Sequence, residues 1–483
     1  MMGLLGILIA LGVLIWFAYR GWSVLLLAPA AALVAVAFAR EPLLAHWTVT
    51  FMNGAARFVA QFFPIFLLGA LFGKLMDDSG SVTAIAHFMA EKLGPRRAIL
   101  SVVLAGAFVT YGGVSLFVAF FVLAPMAQEL FRKAGTPRRL APAAIALGTS
   151  TFTMSALPGT PAIQNAIPMP FFGTTAFAAP GLGVIAAIIM FGFGMWWLVR
   201  AERVAQRRGE GYGDAPKAVV DPIENQIIRD KAAVAHEFDL AEIPHGHRGG
   251  KPNILVAILP LIVVVGVNLV MSLGVMPRMD DSFLSEERWG PTTLAAVGGV
   301  WSVIVALAVA IVTLIVLNWR RLTEIRESVD AGVTASVLPL ISVASLVGFG
   351  AVVAALPAFA AVRTWVLSIE GGPLVSLAIA TNVLASLTGS ASGGLTIALD
   401  TLGETYLRLA EKQGIDPALL HRVAVIGAGT LDSLPHNGAV VTLLAVCGCT
   451  HKESYLDIVI VAILGAILAL VAVIALGSAF GSF

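Results

Sequence analysis

The stretch that decides the fold runs from Ala98 to Gln128, and it reads AILSVVLAGAFVTYGGVSLFVAFFVLAPMAQ. It contains no charged residue, and the pair Gly112–Gly113 stands near its centre. Each flank is shorter than the ~20 residues that a membrane-spanning helix needs. Irregular backbone at mid-membrane depth is tolerated only inside protein or beside a water-filled site. We therefore predict a re-entrant helical hairpin over residues 98–133, with its glycine tip inside the membrane.

A second stretch of the same design lies near the other end of the chain. Residues 371–399 are also free of charge, and they carry GSASGG at positions 389–394, which predicts a hairpin over residues 373–410. The sequence SALPGTPAI, residues 155–163, likewise resembles SLPHNGAV, residues 433–440. Because these landmarks recur in the same order, we interpret the chain as two homologous halves joined by a polar linker. The halves are residues 1–199 and 252–483, and the linker is residues 200–251.

The composition is that of a membrane protein. Of the 483 residues, 58% are hydrophobic and only 12% are charged, with a net charge of +1. An average soluble chain has about 25% charged residues, so these values exclude a disordered chain, a nucleic-acid binder and an ordinary cytosolic enzyme. Apolar runs recur along the whole chain, which predicts an all-α polytopic protein whose partner is the lipid bilayer. No nucleophile–base pair and no metal-ligand cluster points to an enzyme.

Each half contains the same predicted parts in the same order. Ordinary spans come first, then the hairpin, then a span broken by proline and glycine, and finally a closing span. The broken helices are predicted over residues 140–170 and 420–450. A hairpin returns to its own side, so each half crosses the membrane five times, and an odd number inverts the second half. Two inverted repeats, each with one re-entrant hairpin and one broken helix, form the plan of a secondary transporter.

The distribution of positive charge predicts the orientation. When the N-terminus defines one side, 8 Lys and Arg residues, including Arg422, fall on that side and 22 fall on the other. The positive-inside rule then places the linker in the cytoplasm and both termini outside. The apolar run at residues 3–19 follows no Lys or Arg, so we interpret it as the first span and not as a signal peptide. The expected location is the bacterial cytoplasmic (inner) membrane.

The expected substrate site lies where the hairpin tips and the broken helices meet. Five hydroxyl residues occur within the seven residues 149–155, which favours an unwound binding loop, although such hydroxyls also bond to their own helix backbone. No Lys or Arg lies inside these runs, so helix N-termini, backbone N–H groups and hydroxyls would hold an anion. A small hydroxy-carboxylate suits them, and a neutral polyol or an amino acid remains an alternative. The candidate binding residues are Gly112, Gly113, Ser115, Ser150, Thr151, Thr153, Thr160, Asn165, Ser390, Ser392, Gly393, Ser433, His436 and Asn437.

Three titratable residues are candidates for coupling transport to an ion gradient. Asp432 is the only acid between Arg422 and Lys452, and Asp400 lies in the arm of the second predicted hairpin. An ionisable residue in a span is costly to bury and is functional by default, although either acid could instead cap a helix. His436 follows Asp432 by four residues, so a helical turn would put both on one face. We expect no metal and no cofactor, with H⁺ as the coupling ion and Na⁺ as the alternative.

The order of parts, with GKLMDDSG at residues 73–80 closing the third span, resembles the gluconate permease family within the ion transporter superfamily. The resemblance implies a homodimer, a scaffold domain with a mobile transport domain that works as an elevator, and proton-coupled uptake of sugar acids or hydroxy acids. Two stretches, LPHNGAV at 434–440 and YRGWS at 19–23, look more like members associated with 3-hydroxybutyrate and other short hydroxy acids than like gluconate-type members.

These observations predict a secondary active symporter for a small hydroxy-monocarboxylate, driven by protons. A sodium-coupled symporter of the same fold is the first alternative, because hairpin tips and unwound carbonyls can coordinate Na⁺. A passive channel is a second alternative, but channels usually build their pores from rings of subunits.

Overall fold

The computed structural model describes residues 2–18, 20, 22–213, 251–290, 292–435 and 437–483. Within these ranges the regular structure is entirely helical. The first half forms α1 Met2–Ala18, α2 Val24–Ala39, α3 Leu43–Asp78, α4 Ser81–Leu93, α5 Ala98–Tyr111, α6 Leu116–Ala134, α7 Ala141–Thr149, α8 Phe152–Ser155, α9 Ile163–Ala166, α10 Pro168–Phe172 and α11 Pro180–Arg207. The second half forms α12 Ile254–Arg278, α13 Leu294–Asn318, α14 Ile325–Ala355, α15 Phe359–Leu367, α16 Gly372–Thr388, α17 Ala391–Gln413, α18 Pro417–Thr430, α19 Gly438–Val446 and α20 His451–Phe480.

Six helices of the described chain are long and apolar enough to cross a membrane, and the bent pair α4–α5 would make a seventh. The six are α3, α11, α12, α13, α14 and α20. Helices α1, α2 and α16 are apolar but contain at most 17 residues each. The prediction of an all-helical, polytopic membrane protein is thus confirmed, whereas five crossings per half and the inversion of the halves stay predictions.

A pair of packed helices lies at the place of each predicted hairpin, whereas the insertion of their tips into the membrane stays a prediction. Helices α5 and α6 meet at a tip of four residues, 112–115, and α16 and α17 meet at Gly389 and Ser390. In the second hairpin, the backbone of Gly394 lies so close to Ala385 that a Cβ atom would overlap its main chain. Each hairpin ends at a glycine in the left-handed region, Gly135 with φ +68° and Gly414 with φ +67°. These two glycines stand at equivalent places in the two halves.

The two halves pack against each other along their longest helices. Helix α3 runs beside α14, and glycines allow their backbones to approach. A Cβ atom on Gly54 would lie 2.7 Å from the Ala351 side chain, and one on Gly348 would lie 2.9 Å from Phe51. Close backbone approach through small residues is the usual basis of helix association in membranes, where burial of apolar surface gives little driving force.

A polar cluster at the ends of two apolar helices, α11 and α20, fixes the start of the linker. Arg139, just before α7, donates to Glu210 (2.8 Å) and to Asp457 at the start of α20 (2.7 Å). Trp197 Nε1 donates to the other Asp457 oxygen at 2.9 Å. The hydrogen bond to Glu210 raises the pKa of the Arg139 guanidinium. Both halves and the first residues of the linker are therefore joined here, and the rest of the predicted linker, residues 214–250, lies outside the described residues.

Candidate functional site

The two broken helices meet at their breaks. Helix α7 ends at Thr149, and α18 ends at Thr430. Near these ends, a Cβ atom on Gly429, in the last turn of α18, would lie 3.1 Å from the Ser155 side chain. The interruptions predicted over residues 140–170 and 420–450 are therefore present, and they face each other.

The tip of the first hairpin packs against the first break. Gly113 has a φ of +96°, which favours glycine, and a Cβ atom there would lie 2.7 Å from Pro161. Tyr111 donates its hydroxyl hydrogen to the carbonyl of Pro158 at 2.7 Å. Gly112 is buried, and a side chain there would overlap Leu261 of α12. Gly112 and Gly113 are thus needed for close backbone packing, whatever they contribute to a ligand.

The hydroxyl-rich segment makes local bonds of the kind that competes with ligand binding. Thr151 donates to the Leu147 carbonyl at 2.7 Å, and Thr153 lies 3.2 and 3.1 Å from the Gly148 and Thr149 carbonyls. Both threonines are buried. Each hydroxyl oxygen keeps lone pairs that can accept a bond from a ligand hydroxyl, but its donor is already used. A role for Thr151 and Thr153 in substrate binding therefore stays a prediction.

Ser150 differs from these threonines because it is partly exposed. Its hydroxyl lies 3.1 Å from that of Thr149, which itself donates to the Ile145 carbonyl at 2.8 Å. Ser115, the N-cap of α6, is also partly exposed and accepts a hydrogen bond from the Phe117 amide at 3.3 Å. Ser150 and Ser115 are the candidate hydroxyls of the first half that stay partly open.

Asn165 holds the unwound loop together. Its Nδ2 atom donates to the carbonyls of Thr160 and Ala176, each at 3.0 Å. The loop is held from another side by Asn268 of α12, which donates to the Gly159 carbonyl at 3.1 Å. Both asparagines and Thr160 are fully buried. The helix is interrupted here, so the carbonyls of Gly159, Thr160 and Ala176 have no partner within a helix, and the asparagine side chains provide one.

Two residues of the second half clamp the same loop. Arg422 is fully buried in α18, and its guanidinium donates to the carbonyls of Ala178 (2.6 Å) and Ser155 (3.3 Å). The neighbouring His421 places Nε2 3.2 Å from Asn165 Oδ1 and Nδ1 2.6 Å from the Thr174 hydroxyl. Because the amide nitrogen of Asn165 donates elsewhere, its oxygen must accept, which assigns the imidazole hydrogen to Nε2.

This clamp corrects the sequence analysis. The sequence predicts Arg422 to be a charge at the membrane surface. It also predicts that no Lys or Arg lies inside the broken helices. The structure places Arg422 inside α18, which begins at Pro417 with Asp416 as its cap. Lys74, counted on the opposite side, is also buried. The charge imbalance loses one residue from each side and keeps its sign.

At the second break, Asp432 and Asn437 hold the tip of the second hairpin. Asp432 Oδ1 accepts from the Ala391 amide and from Asn437 Nδ2, each at 2.8 Å. Asn437 Nδ2 also lies 2.8 Å from the carbonyl of Gly389. The carboxylate therefore faces the N-terminus of α17, where the helix dipole and the unpaired N–H groups favour negative charge. Helix capping, one of the two alternatives for Asp432, is thus what its contacts show.

The remaining candidates of the second half lie around the same tip. Ser390 accepts from the Gly393 amide at 3.3 Å and lies 3.2 Å from the Ser392 hydroxyl. The Ser433 carbonyl accepts from Tyr455 at 3.2 Å. The structure thus brings the predicted tip and break residues of the second half together.

Of the three coupling candidates, the structure describes Asp432 and Asp400. His436 lies outside the described residues, and the helical turn that begins at Leu431 ends at Ser433. Leu434 is extended (φ −69°, ψ 156°), so the helical turn of Asp432 does not continue through Leu434, and the alignment of Asp432 with His436 stays a prediction. Asp400 is partly exposed in α17, with the Arg57 charge of α3 acting on it.

A cavity of about 410 Å³ lies beside the clamped loop, away from the hairpin tips. Its lining includes residues 172–175, 177–180, 416–418, Ser482 and Phe483. None of the candidate binding residues lines this cavity.

With this geometry established, comparison with known proteins identifies the family. The uncharacterized transporter YxjC of Bacillus subtilis (strain 168) is 40% identical over 487 aligned residues, which cover 98% of this chain and 99% of YxjC. The chain belongs to the transporter family of YxjC. The high-affinity gluconate transporter of Escherichia coli (strain K12) is 35% identical over 121 residues, or 24% of this chain and 26% of that protein. The model of the Na⁺/H⁺ antiporter family matches residues 1–167.

Two solved structures share the fold of this chain. The YdaH transporter of Alcanivorax borkumensis has a TM-score of 0.54 at 17% identity, covering 91% of this chain and 89% of that chain. MtrF of Neisseria gonorrhoeae has a TM-score of 0.53 at 12% identity, covering 91% and 85%. At these identities the likeness concerns the fold alone. Together with the apolar helices, the relatives show a multi-pass membrane transporter similar to gluconate transporters, consistent with a protein that is not an enzyme.

Proposed function

We propose that this chain is a proton-coupled symporter of a small hydroxy-monocarboxylate, of the 3-hydroxybutyrate or gluconate kind, and that it works by an elevator movement. The observation that carries the proposal is the meeting of two helix breaks, each held against a hairpin tip. Hydroxyls, backbone groups and the N-termini of α6 and α17 surround these breaks, and such groups suit a hydroxylated anion. The likeness to the high-affinity gluconate transporter of E. coli supports a sugar acid.

A sodium-coupled symporter of the same fold is the second candidate. Its support is the match of the Na⁺/H⁺ antiporter family model to residues 1–167, which include the first hairpin and part of the first break. The homodimer implied by the resemblance and the location in a bacterial inner membrane belong to the same proposal.

The proposed function is tested by uptake into proteoliposomes. Purified protein is offered 3-hydroxybutyrate, gluconate, lactate, a neutral polyol and an amino acid, with inward proton and sodium gradients imposed separately. We expect a hydroxy-carboxylate to accumulate above its external concentration under the proton gradient alone and to leak out when a protonophore is added. Accumulation under the sodium gradient alone would select the second candidate. Equilibration without accumulation under either gradient would indicate a channel and contradict both.

The orientation gives an independent prediction. In a variant whose Cys447 and Cys449 are replaced by serine, Arg208→Cys should be protected from an impermeant maleimide applied to intact cells, and Phe483→Cys should react. Both positions are exposed, so access is decided by the membrane and not by packing. The charge imbalance is the reason for the expectation. The opposite labelling pattern would contradict an outward C-terminus and a cytoplasmic linker. Opening the cells with detergent, which should make both positions react, is the control.

A further inference from the structure

One buried acid lies outside the hairpin tips and breaks. Asp77, in the last turn of α3, is only 1% exposed. Among the described residues, neither of its carboxylate oxygens has a hydrogen-bond partner. Buried polar groups in native proteins are almost always paired, so an acid with two unpaired oxygens requires an explanation.

The surroundings of Asp77 disfavour its ionised form. The C-terminal end of a helix carries partial negative charge, and Asp77 stands one residue before the end of α3. The next residue, Asp78, adds a second acid, and the nearby Lys74 is already paired with it at 2.9 Å. An isolated charge out of water is expensive, whereas a protonated carboxyl is neutral. The site therefore favours a carboxyl that carries a proton.

No other charge in the neighbouring helices compensates for Asp77. Helix α13, which packs on α3, carries no charged side chain. The charged or titratable residues of α4 are His87, which is central and partly buried, and the exposed Glu91 and Lys92 in its last turn. Those of α14 are exposed and lie in its first two turns; they are Arg326, Glu327 and Asp330. The groups that act on Asp77 are thus Lys74 and Asp78 of its own helix.

Asp77 is also close to the first hairpin tip. A Cβ atom on Gly73 would lie 3.6 Å from the Ser115 amide nitrogen and 4.0 Å from Val114 Cα. Asp77 follows Gly73 by four residues, so both stand on one face of α3. A change in the charge of Asp77 would therefore change the electrostatic potential about one helical turn from the first hairpin tip.

Asp432 differs from Asp77 because its carboxylate has hydrogen-bond donors. Two N–H donors contact its Oδ1 atom at the start of α17, and donors of this kind stabilise the ionised form. Asp432 caps the N-terminus of α17, and this structural role does not require the release and uptake of a proton.

We propose that Asp77, and not Asp432, is the proton-binding residue of this transporter. In the inward and outward exposed states the carboxyl exchanges its proton with water, and in the occluded state it is neutral. The assignment of coupling rests on the proposed symport function, but the binding of a proton by folded Asp77 does not.

The first test needs no substrate. The apparent melting temperature of detergent-purified protein is measured between pH 5 and pH 8 for the wild type, Asp77→Asn and Glu91→Gln. If folded Asp77 binds a proton that the unfolded chain has released, wild-type stability falls as the pH rises. Asp77→Asn removes this loss, so its advantage over the wild type should grow from pH 5 to pH 8. Glu91→Gln, at an exposed acid of α4, is the control and should follow the wild-type curve. Parallel curves for the wild type and Asp77→Asn would overturn the proposal.

The same samples distinguish a proton from sodium. At constant ionic strength, exchanging choline chloride for NaCl should leave the wild-type melting temperature unchanged. A rise with NaCl that Asp77→Asn abolishes would identify a sodium site and overturn the proton assignment.

The second test concerns coupling. In proteoliposomes, Asp77→Asn should exchange the accepted carboxylate across the membrane at a measurable rate but accumulate none under a proton gradient. Glu91→Gln, at an exposed acid of α4, is the control and should still accumulate substrate. Accumulation by Asp77→Asn equal to that of the wild type would overturn the coupling assignment. If the wild type accumulates nothing, the symport proposal fails while the pH dependence of melting still decides whether Asp77 binds a proton.

Discussion

Replacing Gly394 by alanine is expected to abolish transport and to destabilise the protein more than any other single methyl group added to a helix glycine. The added Cβ would overlap the backbone of Ala385 and approach the main chain of Leu384. A backbone cannot rotate away as a side chain can, so the two arms of the second hairpin must separate. Overpacking costs about 1–3 kcal/mol when side chains can adjust, and this site offers less adjustment.

Two glycines provide matched controls for Gly394→Ala. Gly192 in α11 and Gly266 in α12 are also helical, and a Cβ atom at either position meets nothing within 4 Å. Alanine there should leave uptake intact and raise stability slightly, because glycine in a helix interior costs roughly 0.5–1 kcal/mol relative to alanine. Melting temperature, gel-filtration profile and uptake are measured for all three variants. Equal behaviour of Gly394→Ala and the controls would mean that the hairpin arms are further apart than the structure shows.

Arg422→Met is expected to have the second largest effect. It would leave the carbonyls of Ala178 and Ser155 without the donors that the fully buried Arg422 provides. An unsatisfied buried group costs about 1–3 kcal/mol, so the two together would cost on the order of 2–6 kcal/mol. The melting temperature should fall by several degrees, and the clamped loop should become open to proteolysis.

The control for Arg422→Met is the same substitution at an exposed arginine. Arg408 in α17 has a side chain that is 56% exposed and a long 3.9 Å contact with Glu404, so Arg408→Met should change little. Arg422→Lys separates charge from geometry, because an ammonium group cannot reproduce the planar fork that spans both carbonyls. If Arg422→Lys is as stable as the wild type, the buried charge matters and the bidentate contact does not.

The hairpins were predictable because their signals are local. The absence of charge over residues 98–128 and a central glycine pair predict an interrupted apolar segment, and the helices found, Ala98–Tyr111 and Leu116–Ala134, match the predicted 98–133 closely. Membrane burial imposes the same rule on every such segment, so periodicity and length suffice.

The clamp was not predictable from the same signals. An arginine beside an apolar run is normally at the surface, and the partners of Arg422 lie in another half of the chain. One local signal did exist: Asp416 followed by Pro417 is a helix start, which would have placed His421 and Arg422 inside α18. Asp77 could not be identified for a different reason. The sequence does not indicate that Lys74 pairs with Asp78 and leaves the carboxylate of Asp77 without a partner among the described residues.

The clamp also has a consequence for the timing of synthesis. Arg422 follows Ala178 by 244 residues. At ~5–20 residues per second, roughly 12–50 s separate the synthesis of the loop from that of the guanidinium that satisfies it. Throughout this interval the loop carbonyls must accept hydrogen bonds from water or from the insertion machinery, because the hydrocarbon core of the membrane contains no donors. The loop of the first half therefore cannot complete its hydrogen bonds until α18 has been translated.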